Sequence, residues 1–227
     1  MRILIISIIT TMLFVLNSSF HSSSNLNGFY IDLAKTASLG NDSQLDKKVK
    51  TFLKSKENEW NYWNVPTADG EFLHDLIVEN NYQNILEIGT STGKSTIYLA
   101  WAASKTGGQV TTIEINEDRY QMARENLKEA GLLDYVDTKL ADAHQLVKEL
   151  EGPIDFVFVD ADKSWYTNYL RDLYPKLQKD GCYTAHNTNM NVQGMKDFLD
   201  YLEDHDGLET SFNNDSGAGI SVSYKIK

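Results

Sequence analysis

The sequence predicts an α/β fold, a single doubly wound domain built on a mostly parallel sheet. Three observations carry that prediction. Short apolar runs alternate with single amphipathic stretches from residue 85 onward, and strands separated by single helices pair in parallel. One run, Ile154 to Val159, is almost wholly apolar, as a strand is when helices cover both its faces. The chain has 227 residues, is 41% hydrophobic and contains 3 Pro, which suits one globular domain and excludes a disordered or low-complexity chain.

The N-terminus stands apart. Met1-Arg2 precedes a run from Ile3 to Leu16 that is apolar except for Ser7, Thr10 and Thr11. A membrane-spanning helix needs about 20 apolar residues, so this run is short. One basic residue, a short apolar core and Asn17-Ser18-Ser19 resemble a secretory signal, although no Ala-x-Ala site follows. A gene start placed too early, with Met12 as the alternative, or a helix packed on the domain are the other readings. Residues 17–27 are rich in Ser and Asn and read as linker. The organisation expected is a signal-like segment and linker over 1–27 and one domain over 28–227. No other stretch reads as membrane-embedded.

Within the domain, Phe29, Leu33, Ala37, Val49, Phe52 and Leu53 recur at helical spacing across 28–60, broken at Asn41-Asp42-Ser43. Trp60, Tyr62 and Trp63 cluster before Pro66. Asp69 reads as the cap of a helix ending near residue 80, with Phe72, Leu73, Leu76 and Ile77 on one face. Strands follow at 85–88, 110–115, 136–140, 154–159 and 181–185. The helices expected between and after them cover 95–104, 116–130, 143–150, 165–177 and 192–202. The fourth follows the fourth strand and the fifth follows the fifth. Two final strands, 208–212 and 220–225, close the chain in a hairpin-like end. Sheets of this kind bind ligands beyond the carboxyl ends of their strands, where the strand order switches.

The formal net charge is −11, which argues against a nucleic-acid partner because phosphate binding needs clustered cations. A single cysteine, Cys182, excludes an intramolecular disulfide and a cysteine-built zinc site. A homodimer is compatible with this reading.

The first chemical signal is Glu87-Ile88-Gly89-Thr90-Ser91-Thr92-Gly93-Lys94-Ser95 on a strand-to-helix turn. Gly89 permits a tight turn, and Gly93 lets a ligand approach free N–H groups at the helix start. Glu114 ends the next strand, where a nucleoside ribose would present its hydroxyls. A phosphate-binding P-loop needs four residues between its glycines, and three stand between Gly89 and Gly93. The dinucleotide fingerprint fails as well, since Ser91 and Lys94 occupy its later glycine positions. S-adenosylmethionine fits better. Glu87 would hold its ammonium directly or through water, the turn amides and Ser95 its carboxylate, and Glu114 its ribose.

With those residues in view, the chain resembles the cation-dependent class I O-methyltransferases, the group of catechol and caffeoyl-coenzyme A O-methyltransferases. The resemblance runs from about Val65 to Met190. It is carried by Pro66-Thr67-Ala68-Asp69-Gly70-Glu71-Phe72-Leu73, Leu86-Glu87-Ile88-Gly89 and Glu114-Ile115-Asn116. Its most specific part is Val159-Asp160-Ala161-Asp162-Lys163 with Tyr166 and Tyr169. The resemblance implies a Rossmann-like sheet of seven strands, the last antiparallel, with extra N-terminal helices. It also implies cofactor contacts from Thr67, Thr90, Ile115, Asp142, Ala143, His144, Asp160 and Tyr169. In that family an Asp after the fourth strand and an Asp-Asn pair after the fifth hold a metal. Asp160 matches the first; the pair is His186-Asn187. Imidazole in place of carboxylate removes a negative charge and softens the site, which favours zinc or manganese over magnesium. A lost metal site in a non-catalytic cofactor-binding relative is the alternative.

The reaction the resemblance implies is methyl transfer to one hydroxyl of a vicinal aromatic diol. Lys163, one helical turn after Asp160, is its expected base. Trp60, Tyr62, Trp63 and Trp165 are candidates for covering a flat substrate ring or for plain packing. The signal-like start points to export or anchoring, whereas the cofactor is made in the cytosol, so the location stays open.

Overall fold

A computed structural model describes residues 42–60 and 63–227. The signal-like segment, its linker, the first helical stretch up to residue 41, and Tyr62 lie outside the described residues. No described helix is long and apolar enough to cross a membrane.

Residues 44–227 form one unit. Helices α1 (Gln44–Ser55) and α2 (Thr67–Asn80) precede the alternating part. Then come β1 (Asn84–Ile88), α3 (Lys94–Thr106), β2 (Gln109–Glu114), α4 (Glu117–Ala130), β3 (Val136–Leu140), α5 (Ala143–Glu149) and β4 (Ile154–Val159). A 3-10 turn at Lys163–Trp165 leads into α6 (Tyr166–Leu173), followed by β5 (Leu177–His186), α7 (Gln193–Glu203), β6 (Leu208–Asn213) and β7 (Ile220–Lys225). The sheet has seven strands in the order β3-β2-β1-β4-β5-β7-β6. β1 to β5 pair in parallel, and β7 runs antiparallel to both β5 and β6. Strand order reverses between β1 and β4, so the ligand position expected for a doubly wound sheet lies at their carboxyl ends.

Side chains of a strand alternate between faces, and β4 shows this from Phe156 onward with apolar residues on both faces. Phe156 and Phe158 join the core under α1 to α4, while Val157 and Val159 join the core under α6 and α7. The same period places Glu87 and His186 on the first face, towards α3 and α2.

Helix α2 begins at Thr67 after Pro66, so Asp69 lies inside the first turn rather than capping it. Its side chain is buried. Gly70 lets α2 approach α3: an added Cβ would stand 2.3 Å from the Tyr98 ring. That close approach brings Asp69 over the sheet.

Candidate active site

The carboxyl ends of β1, β2, β4 and β5 open into a cleft of about 810 Å³. Gly89 turns the chain out of β1 with φ +99. Its N–H donates to Ile113 O at 3.0 Å, and Asp160 N donates to Ile88 O at 2.9 Å. The turn is therefore clamped between the tips of β2 and β4. Beside it, Glu114 holds the turn from β2. Its Oε2 accepts from Ser91 N at 2.8 Å, and its Oε1 accepts from Asn116 N and from the Arg119 guanidinium. Oε1 takes three donors and Oε2 one, so Oε2 keeps an acceptor position beside the cleft. Arg119 was not anticipated from the sequence. It lies five residues beyond Glu114 in the first turn of α4, with the Trp63 ring 5.8 Å from it at the cleft rim.

Gly89, Ser95, Glu114, Ile115, Asp142, Ala143, His144, Asp160 and Tyr169, among the residues expected to meet the cofactor, line the cleft. The Asp142 carboxylate accepts from His144 N at 2.9 Å and starts α5. The His144 ring stacks on Trp165 at 4.2 Å. Trp165 thereby packs against a cleft residue and is not itself in the wall, while Trp60 packs on Phe52.

Four expected cofactor residues do not reach the cleft. Thr67 meets Lys94 Nζ at 3.4 Å. Thr90 is buried against Thr112. Gly93 starts α3 and packs on Ala123, with 3.2 Å left for a Cβ. Glu87 is 0% exposed, because the strand period turns it under α3. It accepts from Ser95 Oγ at 2.6 Å, from Thr112 Oγ1 at 2.6 Å and from Thr96. Its carboxylate therefore faces these three hydroxyls and not the cleft.

Burial pushes the Glu87 carboxyl from an ordinary 4.5 up to about 7, with the three hydroxyls limiting the rise. An acid raised on folding stabilises the fold below its unfolded value, and that stabilisation is lost as pH climbs through the folded value. Between about pH 5 and about pH 8 the wild type is expected to lose about 3 kcal/mol that Glu87→Gln does not lose. Urea unfolding of both proteins at the two pH values measures the difference. Parallel pH dependences would remove Glu87 as the cause.

On the opposite wall, Asp160 receives two cationic partners. Lys163 Nζ donates to its Oδ1 at 2.6 Å and to Ala161 O at 3.2 Å. His186 Nδ1 stands 3.0 Å from its Oδ2. Burial opposes ionisation of Asp160, but His186 and Lys163 hold its carboxyl below the usual range. The other ring nitrogen, His186 Nε2, stands 2.7 Å from Asp69 Oδ2. Burial alone would lower the His186 ring; the hydrogen bonds and charges of Asp160 and Asp69 outweigh it and push the ring up to about 9. Asn187 follows at φ 63 and lines the cleft.

This donor set fits a divalent ion. In the metal-free protein Asp160 Oδ2 and His186 Nδ1 share a hydrogen bond at 3.0 Å, so an ion held there would displace its proton. Among the described residues no three His, Cys, Asp or Glu side chains converge on a metal position. The candidate set is one carboxylate, one imidazole and the Asn187 amide.

Tyr166, fully buried, joins the two strand tips. Its hydroxyl is 3.1 Å from Val159 O and 3.3 Å from His186 O.

By fold and cleft the chain is a doubly wound α/β protein with its ligand site at the switch in strand order. A family model described as O-methyltransferase matches residues 36–197, and the chain belongs to that family. Caffeoyl-CoA O-methyltransferase 1 of Eucalyptus globulus is 31% identical over 140 residues, 60% of this chain and 56% of that one. Catechol O-methyltransferase of Niastella koreensis is 39% identical over 111 residues, 47% of this chain and 50% of that one. The chain thus spans about half the length of these curated relatives. An O-methyltransferase from Bacillus cereus, solved in complex with SAH, superposes with a TM-score of 0.68 at 24% identity, covering 86% of this chain and 97% of that one. Cofactor-bound Rv0187 from MTB gives a TM-score of 0.68 at 25% identity, with 86% and 95% covered.

Proposed function

We propose that the chain moves a methyl group from S-adenosylmethionine to one hydroxyl of a catechol-like small molecule, assisted by a divalent ion. The observation that supports this most is the shared cleft. A glycine turn closed by Glu114 forms one wall, and Asp160, Lys163, His186 and Asn187 form the other.

Glu114 holds the ribose through the free acceptor position of Oε2, and the turn N–H groups face the carboxylate end of the cofactor. Ser95, fixed by its bond to Glu87, stands between that carboxyl group and the cleft. Asp160, His186 and Asn187 would hold the ion, which supplies positive charge that favours the ionised form of a phenol whose ordinary pKa is about 10. Manganese or zinc suits an imidazole ligand better than magnesium does. Lys163 is the group placed to handle the substrate proton. Its ammonium is engaged with Asp160 and Ala161 O, so it acts as a base only after yielding a proton of its own. The two walls hold the acceptor hydroxyl in line with the donor methyl, which is where most of the rate gain from orientation arises.

A second reading, a cofactor-binding relative without turnover, draws on the engagement of both His186 nitrogens by carboxylates. A panel of catechols assayed with labelled S-adenosylmethionine separates the two. The expected result is a monomethylated product that is lost on chelation and restored by manganese or zinc better than by magnesium. Absence of product with every metal, in a protein that still binds S-adenosylhomocysteine, overturns the catalytic reading.

A further inference from the structure

Asp69 is out of place for an acid in the first turn of a helix. Such residues usually face solvent, where they complement the helix dipole. Asp69 instead is 1% exposed. Its Oδ2 accepts from Ser216 Oγ at 2.8 Å and meets His186 Nε2 at 2.7 Å. Three distant elements meet at this carboxylate: α2, the tip of β5 and the loop between β6 and β7. Gly70, next in sequence, permits the helix approach that puts it there.

A buried carboxylate against one ring nitrogen decides what the other nitrogen does. The nitrogen facing Asp69 carries a hydrogen, because a lone pair aimed at an anionic oxygen would be repelled. The opposite nitrogen, Nδ1, then points at Asp160 Oδ2 across 3.0 Å. In the metal-free protein the ring's second proton lies between them, so an ion binds there by displacing that proton. Ring nitrogens that hold metals commonly donate their other N–H to a carboxylate, which fixes tautomer and orientation.

We propose that Asp69 is a positioning residue that locks the His186 ring with Nε2–H towards α2, so that Nδ1 and Asp160 jointly receive a divalent transition-metal ion. The inference rests on the metal-assisted reading above. It assigns a role to a residue that family resemblance presents only as part of a helix-start motif. It also explains how an imidazole can stand in a carboxylate's position: the negative charge removed from residue 186 is supplied from behind the ring.

The test is a double-mutant cycle read by metal binding rather than turnover. Wild type, Asp69→Asn, His186→Asp and the double variant are each titrated with manganese by calorimetry, without substrate. Thermal melting and S-adenosylhomocysteine binding serve as folding controls. In the wild-type background Asp69→Asn is expected to weaken manganese by about 10- to 100-fold. In the His186→Asp background there is no ring to orient, and the same change is expected to cost less than about threefold. Equal losses in both backgrounds would mean that Asp69 acts by charge alone, and unchanged affinity would mean that it does not act; either overturns the proposal. If the wild type binds neither manganese nor zinc, the metal-assisted reading fails and this inference falls with it. Should Asp69→Asn not fold, Ser216→Ala releases the carboxylate without removing it. Weaker manganese binding in that variant supports the lock, and unaltered binding overturns it.

Discussion

Lys163→Ala is expected to lower kcat by about 10²-fold or more, while affinity for S-adenosylhomocysteine stays within a few-fold of wild type. The separation of the two effects follows from geometry. Lys163 Nζ touches Asp160 and Ala161 O and lies 5.1 Å from the centre of the Tyr166 ring. None of these side-chain contacts holds the Gly89 turn, which is fixed by the backbone through Ile113 O and Asp160 N and by Glu114 through Ser91. Asp160→Asn should show a comparable loss, because it removes the one charge that Lys163 and His186 share. In that variant two cationic side chains lose their common partner, so its melting temperature is measured beside its turnover. Steady-state kinetics with a methylatable catechol and calorimetry with S-adenosylhomocysteine give the two readouts. Turnover retained in both variants would remove the assignment of this wall as the reacting one.

Gly89→Ala is expected to abolish cofactor binding and to destabilise the fold by on the order of 3 kcal/mol. An added Cβ would lie 2.2 Å from the Asp160 carbonyl oxygen and 2.8 Å from its carbon. Both are backbone atoms of a strand tip and cannot swing aside. The φ of +99 adds strain that no ordinary side chain relieves. Gly107→Ala is the control. It also sits at positive φ, +73, but an added Cβ meets nothing within 4 Å. It should cost about 1 to 2 kcal/mol and leave cofactor affinity alone. Urea unfolding and calorimetry distinguish the two variants. Equal effects at both glycines would show that backbone conformation, not the contact with Asp160, governs the turn.

Elements bounded by abrupt changes of hydropathy were legible in the sequence. Strands β3, β4 and β7 fall on the expected residues, since each is a β-rich run between turn-forming or polar stretches. The end of α6 was not legible. A helix was expected to residue 177, but it stops at Leu173, and β5 starts at Leu177 through the polar run Gln178 to Asp180. That run has no alternation to announce a strand; its start is set by pairing with Ile154, a contact between distant segments.

The candidate site divides in the same way. Glu114 could be found because strand tips carry ligands in this architecture, whereas Asp160, Lys163, His186 and Asn187 were found through the family resemblance of the motifs that hold them. Glu87 was expected to act directly or through water; its position at a strand end was plain, but its burial under α3, which leaves no direct face to the cleft, depends on the strand period and on the helix above it. Asp69 and Arg119 were hidden for a different reason. Each looks like an ordinary helix-start residue, and its role depends on where the helix axis points. Asp69 meets a ring 117 positions away. No local pattern encodes that distance.

Tyr166 carries a consequence for how the cleft meets its ligands. One phenol hydroxyl bridges Val159 O and His186 O, and the ring beneath it packs edge-on against Phe198. The span between the neighbouring β4 and β5 ends is thereby fixed before anything enters. A pre-braced gap spends little of a ligand's binding energy on ordering the walls. Affinity in this cleft is then a property of an unremarkable aromatic rung in the floor as much as of the groups that reach the guest.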